Sequence, residues 1–398
     1  MLDLAKLAGQ IPGISKHLKA EAMVNRRRWE LAQSLLEKAK SRQQELIELQ
    51  NQWRERLIFN CATPTETLDT CIDLNPPPLS HSIFATDGSQ IAPSHHEIAY
   101  CYLINVGRVM LHYGQSLHPL LDSLPEVFYK PEDLYASRKW GIRTEEWMGY
   151  RRTVSEAQTL AEMACRWVKP PGAHYNTPNL AMVDGSLIYW FLENLPQPAR
   201  DCLLPPILEA WEQLRQTKIP LMGYLSASRS TEALSFLRLP ACTYETPNCS
   251  VNCASKSETP PCHVMESLRD ATFWANLLQP GQRSCLWRSS ARILELYPEP
   301  LRIYFCYVHV GTEIARVEIP AWVAQDKELF ERSLSIMLGQ VSKGYGYPVA
   351  LAESHNQAVI RGGDRTRFFA LLEAQMIRAG LRNVGISYKE ARKRGSIA

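Results

Sequence analysis

The sequence predicts a mixed α/β protein, a sheet with helices on both sides, and three observations carry that prediction. Two apolar runs, 82–86 and 180–183, each end in the same tripeptide, Asp87-Gly88-Ser89 and Asp184-Gly185-Ser186, and read as buried strands that deliver a carboxylate at their tips. Short antiparallel strands come first, and helices and strands alternate after them. Residues 14–59 lack Gly and Pro and repeat Leu31, Leu35, Leu36, Ala39, Leu46 and Leu49 at helical spacing.

Composition bounds the reading. The chain has 398 residues with 45% apolar content, enough for one large domain with appendages or for two domains. Lys and Arg number 44 against 41 Asp and Glu, so a net charge of +3 does not by itself argue for a nucleic-acid partner. The clusters Arg26-Arg27-Arg28 and Lys389, Arg392, Lys393, Arg394 read either as phosphate contacts or as solvated helix faces. No run reaches the ~20 apolar residues that span a bilayer, and residues 1–15 lack a signal-peptide core, so no membrane is expected and the cytoplasm is the expected location. Eleven unevenly spaced cysteines fit reduced thiols better than a secreted disulfide framework.

In chain order, residues 1–60 read as a helical arm, one long amphipathic helix or a helical hairpin, which pairs with a second subunit or packs along its own domain. Residues 61–80, ending Asn75-Pro76-Pro77-Pro78, read as a linker, and 81–398 as the catalytic candidate. There a strand over 98–106, a turn at Gly107-Arg108 and a strand over 109–113 are expected as antiparallel neighbours. A helix over 144–168 follows, then the strand with Asp184, a helix over 206–216 and a strand over 220–226. Strands over 301–309 and 315–319 and helices opened by Asp326 and Pro348 complete the series.

Four residues compose a candidate site. Asp-Gly-Ser is also ordinary turn chemistry, and its duplication after two apolar strands is what lifts it above that reading. Glu156 aligns with Leu160, Met163 and Trp167 on one helix face, although a first-turn Glu is also favoured by the helix dipole. His355 falls in a row with Leu351 and Val359, where a core histidine is the bland alternative. Together Asp87, Glu156, Asp184 and His355 supply three hard oxygen donors and one imidazole, which suit Mn²⁺ or Mg²⁺ rather than Zn²⁺. Carboxylates gathered around one or two such ions are apparatus for phosphodiester hydrolysis.

These residues resemble the NurA family of DNA-end-resection nucleases. The resemblance rests on Phe84-Ala85-Thr86-Asp87-Gly88-Ser89, on the helix carrying Glu156, and on Met182-Val183-Asp184-Gly185-Ser186-Leu187. It extends through 223–229, through 307–322 with Arg316-Val317-Glu318-Ile319-Pro320, and through Gly346-Tyr347-Pro348 to His355. It implies an RNase H-like fold related to the Argonaute PIWI domain, with Asp87, Glu156, Asp184 and His355 as metal ligands. It further implies a Mn²⁺-dependent 5′ to 3′ exonuclease and single-strand endonuclease, a homodimer working on DNA ends or single strands with a HerA-type hexameric ATPase.

An insertion over 240–265 departs from that pattern. Cys242, Cys249, Cys253 and Cys262 stand there in a Cys-x6-Cys-x3-Cys-x8-Cys array, which suits Zn²⁺ or an iron-sulfur cluster or is a surface insertion with incidental thiols. Tyr224, Tyr345 and Tyr347 are candidates for stacking on bases, or are core and turn residues, and Arg229 is a candidate phosphate contact. A phosphatase of the haloacid dehalogenase type is disfavoured, because Ala85 and Met182 stand where its nucleophile would be. A non-cleaving scaffold that binds DNA and a ring ATPase is the remaining alternative.

Overall fold

Ile83, Phe84 and Ala85 are fully buried, and the strand they open does not stop at the aspartate that follows. The computed structural model describes residues 3–9, 11–94, 99–168, 177–253, 260–265 and 268–380. The basic residues Lys389, Arg392, Lys393 and Arg394 lie outside them, as does Ile98 at the start of the expected second strand.

Among the described residues the strands are β1 (Thr63–Pro64), β2 (Cys71–Asp73), β3 (His81–Ile91), β4 (Tyr102–Tyr113), β5 (Leu120–Phe128), β6 (Asn179–Asp184), β7 (Leu221–Leu225), β8 (Gln282–Ser284), β9 (Trp287–Arg288), β10 (Ile303–His309) and β11 (Ile314–Pro320). The helices are α1 (Leu4–Ala8), α2 (Ile11–Lys40), α3 (Gln43–Trp53), α4 (Pro131–Tyr135), α5 (Thr144–Val168), α6 (Gln197–Gln216), α7 (Cys249–Asn252), α8 (Asp270–Trp274), α9 (Ala321–Ala324), α10 (Lys327–Lys343), α11 (Val349–Ala358) and α12 (Gly362–Arg378). The fold is mixed α/β, as expected. No helix among the described residues is long and apolar enough to cross a membrane.

The chain divides into two compact units. The first comprises Met1–Leu74, Tyr224–Leu296 and Arg302–Ala321. Its antiparallel ladder pairs β10 with β11 from Ile303↔Pro320 to His309↔Ile314, and β8 and β9 also pair with β10. Ala32, Leu35, Leu36, Ala39 and Leu46 of α2 and α3 are buried in one cluster with Phe236, Trp274, Trp287 and Tyr307. A charged network lies inside this unit. Arg316 donates from Nε to Glu318 at 2.8 Å and from Nη2 to Glu232 at 3.1 Å, with its guanidinium 3.6 Å from the ring centre of Phe305.

The second unit comprises Asn75–Gly223, Tyr297–Leu301 and Trp322–Ala398. Strand β3 is its centre, antiparallel to β4 from His81↔Tyr113 to Ile91↔Leu103 and parallel to β6 from Ser82↔Asn179 to Thr86↔Val183. Strand β5 continues the sheet beyond β4.

Three details differ from the sequence reading. The turn expected at Gly107-Arg108 is absent, and β4 runs straight through it. Gly107 is there for clearance: a Cβ would collide with the Ser354 carbonyl oxygen and stand 2.5 Å from the Ala358 nitrogen of α11. The helix expected from residue 206 begins at Gln197 and carries Pro205 and Pro206 in its interior. Burial of Ala199, Leu203, Leu204, Ile207, Trp211 and Leu214 along one side holds it together despite the backbone hydrogen bonds those prolines cannot donate. Strand β5 was not anticipated, because its mostly exposed residues and Pro125 lack the alternation that marks a half-buried strand.

Candidate functional site

Alternation along β3 assigns each side chain to a face of the sheet. Thr86 and Gly88 point to one side, where the Thr86 hydroxyl donates to the Glu156 carbonyl oxygen of α5 at 3.1 Å. Asp87 and Ser89 point to the other, where Ser89 donates to the carbonyl of Ala358 at the end of α11 and Nδ2 of Asn105 donates to the same oxygen at 2.8 Å. So α5 and α11 cover opposite faces of one strand.

Asp87 therefore sits mid-strand, opposite Gly107, and not at the strand tip that the sequence suggested. Asp184 does end its strand, and the chain turns directly afterwards at Gly185, whose φ is +116°. The parallel register pairs Thr86 with Val183, so the next residue on each strand brings Asp87 and Asp184 side by side on one face. His355, on α11, reaches the same place: its Nδ1 is 2.7 Å from Oδ2 of Asp87. The row of α11 expected to be buried is buried at Leu351 and open at His355, whose side chain keeps 64% of its surface.

Glu156 comes from the opposite face, through the gap that Gly88 leaves. A Cβ on Gly88 would collide with Oε1 of Glu156 and stand 2.6 Å from Cγ of Arg152. Arg152 lies one turn earlier on α5, its Nε 3.1 Å from Oε1 of Glu156 without a well-directed hydrogen bond. Burial pushes the Glu156 carboxyl up to about 7; Arg152 and the Gly88 N–H oppose this shift, and the charges of Asp87 and Asp184 add to it. The Asp184 side chain is open at the surface, yet loss of solvent around its carboxyl raises its pKa. A hydrogen bond from the Tyr347 hydroxyl and the nearby His355 work against that rise, and Asp87 adds to it.

Three carboxylates and an imidazole, each feeling another's charge, form a donor set that fits a hard divalent cation. Among the described residues, however, no three His, Cys, Asp or Glu side chains are grouped so as to hold a metal ion. Asp87 is instead engaged with His355, and Glu156 with Arg152. Sequence reasoning missed Arg152 and the two clearance glycines. The i to i+4 spacing of Arg152 and Glu156 was a visible signal for the first; nothing local marks the glycines.

Tyr224 and Arg229 belong to the first unit, whereas the acidic residues belong to the second. Tyr224 is fully buried and donates its hydroxyl to Glu313 at 3.0 Å, which leaves no ring face for a base, and Arg229 is exposed. Tyr345 is 97% exposed with a φ of +54°, an uncommon backbone state for an aromatic residue, two positions before the Tyr347 that touches Asp184. Cys242, Cys249, Cys253 and Cys262 all line one cavity of the first unit.

Comparison with known proteins adds three findings. The family model of the NurA domain matches residues 81–360. The crystal structure of the NurA nuclease from Sulfolobus solfataricus is similar at 12% identity with a TM-score of 0.49, covering 86% of this chain and 97% of that one. No curated protein sequence matches.

Proposed function

Since the chain belongs to the NurA domain family, we propose that it is a metal-dependent deoxyribonuclease that cleaves phosphodiester bonds at Asp87, Asp184, Glu156 and His355. The observation that carries this reading is the side-by-side placement of Asp87 and Asp184 on parallel neighbours with His355 bonded to the former. Asp87 and Asp184 would hold Mn²⁺ or Mg²⁺, with His355 and Glu156 as further donors. When bound, the ion supplies Lewis acidity at the scissile phosphate. The chain itself supplies position: Tyr347 orients Asp184 from one side, Asp87 fixes the ring of His355, and Arg152 keeps a positive charge beside Glu156.

The finer reading follows the family: a 5′ to 3′ exonuclease and single-strand endonuclease that resects DNA double-strand breaks with a HerA-type hexameric translocase, working as a homodimer. An open row on α2, Ile11, Ile14 and Leu18, each more than half exposed, supports pairing of the arm with a second copy. Labelled single-stranded and duplex DNA incubated with Mn²⁺, Mg²⁺ or chelator tests the assignment. Asp87→Asn and Asp184→Asn are each expected to lose at least ~100-fold in cleavage rate, and equal cleavage by all three proteins would overturn the site.

A non-cleaving scaffold is favoured by one observation, the lack of a ready three-ligand group among the described residues. Binding of DNA without cleavage under any of those metal conditions selects that reading.

A further inference from the structure

We propose that Cys242, Cys249, Cys253 and Cys262 form a second metal centre, a tetrathiolate site that takes a single Zn²⁺ or a [4Fe-4S] cluster. All four thiols are unpaired, and residues spread over 242–262 converge on one cavity whose wall also includes Phe59 and Arg238. The sulfurs are near enough to sense one another: Cys253 and Cys262 both act on Cys242, and all three others act on Cys249. Backbone N–H groups of Tyr244 and Ile58 donate to the sulfurs of Cys242 and Cys249.

Arg238 supplies the independent observation. It is 4% exposed, its Nε has no hydrogen-bond partner, and among the described residues no carboxylate lies within ion-pair distance of it. Its guanidinium rests 3.9 Å from the ring centre of Phe59, and Nη2 reaches to 3.8 Å from Sγ of Cys262. A buried cation without a counter-charge is costly. Four thiolates around a divalent ion carry a net charge of −2, and a cluster in the same frame is also anionic, so either occupant supplies the charge that Arg238 lacks. The thiols share a cavity without three of them closing on one point, as expected where the cage forms only together with the metal. On ligation of Zn²⁺ or of a preformed [4Fe-4S] cluster each thiol releases its proton to solvent, and no electron is transferred.

The test is metal analysis of the full chain purified without oxygen. About one zinc per chain, or about four iron with matching sulfide, supports the site and tells the two occupants apart. Cys253→Ser and Cys262→Ser should reduce the metal to background, whereas Cys71→Ser, at an exposed thiol of the same unit, should retain it. Should the serine variants not fold, thiol titration of the native wild-type chain replaces them: chelation should expose four additional reactive thiols, and returning the metal should protect them again. Metal-free protein that also takes up neither Zn²⁺ nor iron with sulfide overturns the proposal. So do disulfides among these four cysteines, or full metal content in both serine variants.

Discussion

At Gly88 one missing carbon decides how closely α5 approaches the central strand. Gly88→Ala must push Glu156 and Arg152 away, and overpacking of this kind costs about 1–3 kcal/mol; urea unfolding of the variant should show that loss. Arg316 offers a second measurement. Replacing it with Met leaves Glu232 and Glu318 buried without their cation, and a loss of about 3–5 kcal/mol in unfolding free energy is expected. Asp270 gives a pH dependence. It accepts from the backbone of Ala233 and Leu234 and from the Tyr307 hydroxyl at 2.6 Å, and burial pushes its carboxyl from 3.8 up to about 6. Between those values the folded chain keeps a proton that the unfolded chain has released, so its contribution to stability falls as pH rises through that window. The stability of wild type relative to Asp270→Asn should therefore drop by about 2 kcal/mol from pH 4 to pH 6, and a constant difference in urea titrations would refute it. Such residues are hard to read from sequence: Asp87 and Asp184 announce themselves by a repeated tripeptide, whereas Gly88 and Gly107 matter only for what lies across from them.

Elements were legible where periodicity and punctuation agreed. The helix over 144–168 matches α5 end to end, and Asp326 caps α10 as its position suggests, Oδ1 accepting from the Leu329 N–H at 3.0 Å. Asp326→Ala should cost about 1 kcal/mol in thermal or urea unfolding. Where a distant element decides, the sequence misleads. The glycine of β4 reads as a turn because nothing nearby shows that α11 lies against it, and the prolines of α6 read as a boundary because the burial that overrides them is tertiary. The loop before α11 carries its own test. Tyr345 is held outward in a left-handed backbone beside the residues that reach Asp184, and Tyr345→Ala should weaken single-stranded DNA binding by about 1–3 kcal/mol in a fluorescence titration, with the thermal midpoint unchanged.

For the whole molecule, a cation that binds only the folded chain raises stability by mass action, about 2.7 kcal/mol at a hundredfold excess over its dissociation constant. Mn²⁺ should raise the melting temperature of the wild-type chain and raise that of Asp87→Asn less; equal shifts would remove Asp87 from the ligand set. The sheet around β3 bears on this in one further way. A β-sheet ordinarily insulates whatever is packed on its two sides, since a continuous layer of side chains stands between them. At Gly88 that insulation is broken, so the charges of Asp87 and Asp184 reach through the sheet and add to the rise in the pKa of Glu156 on α5, a helix that never shares a side with His355. Whatever neutralises the pair of aspartates on the near side thus has a direct route to a proton held on the far one.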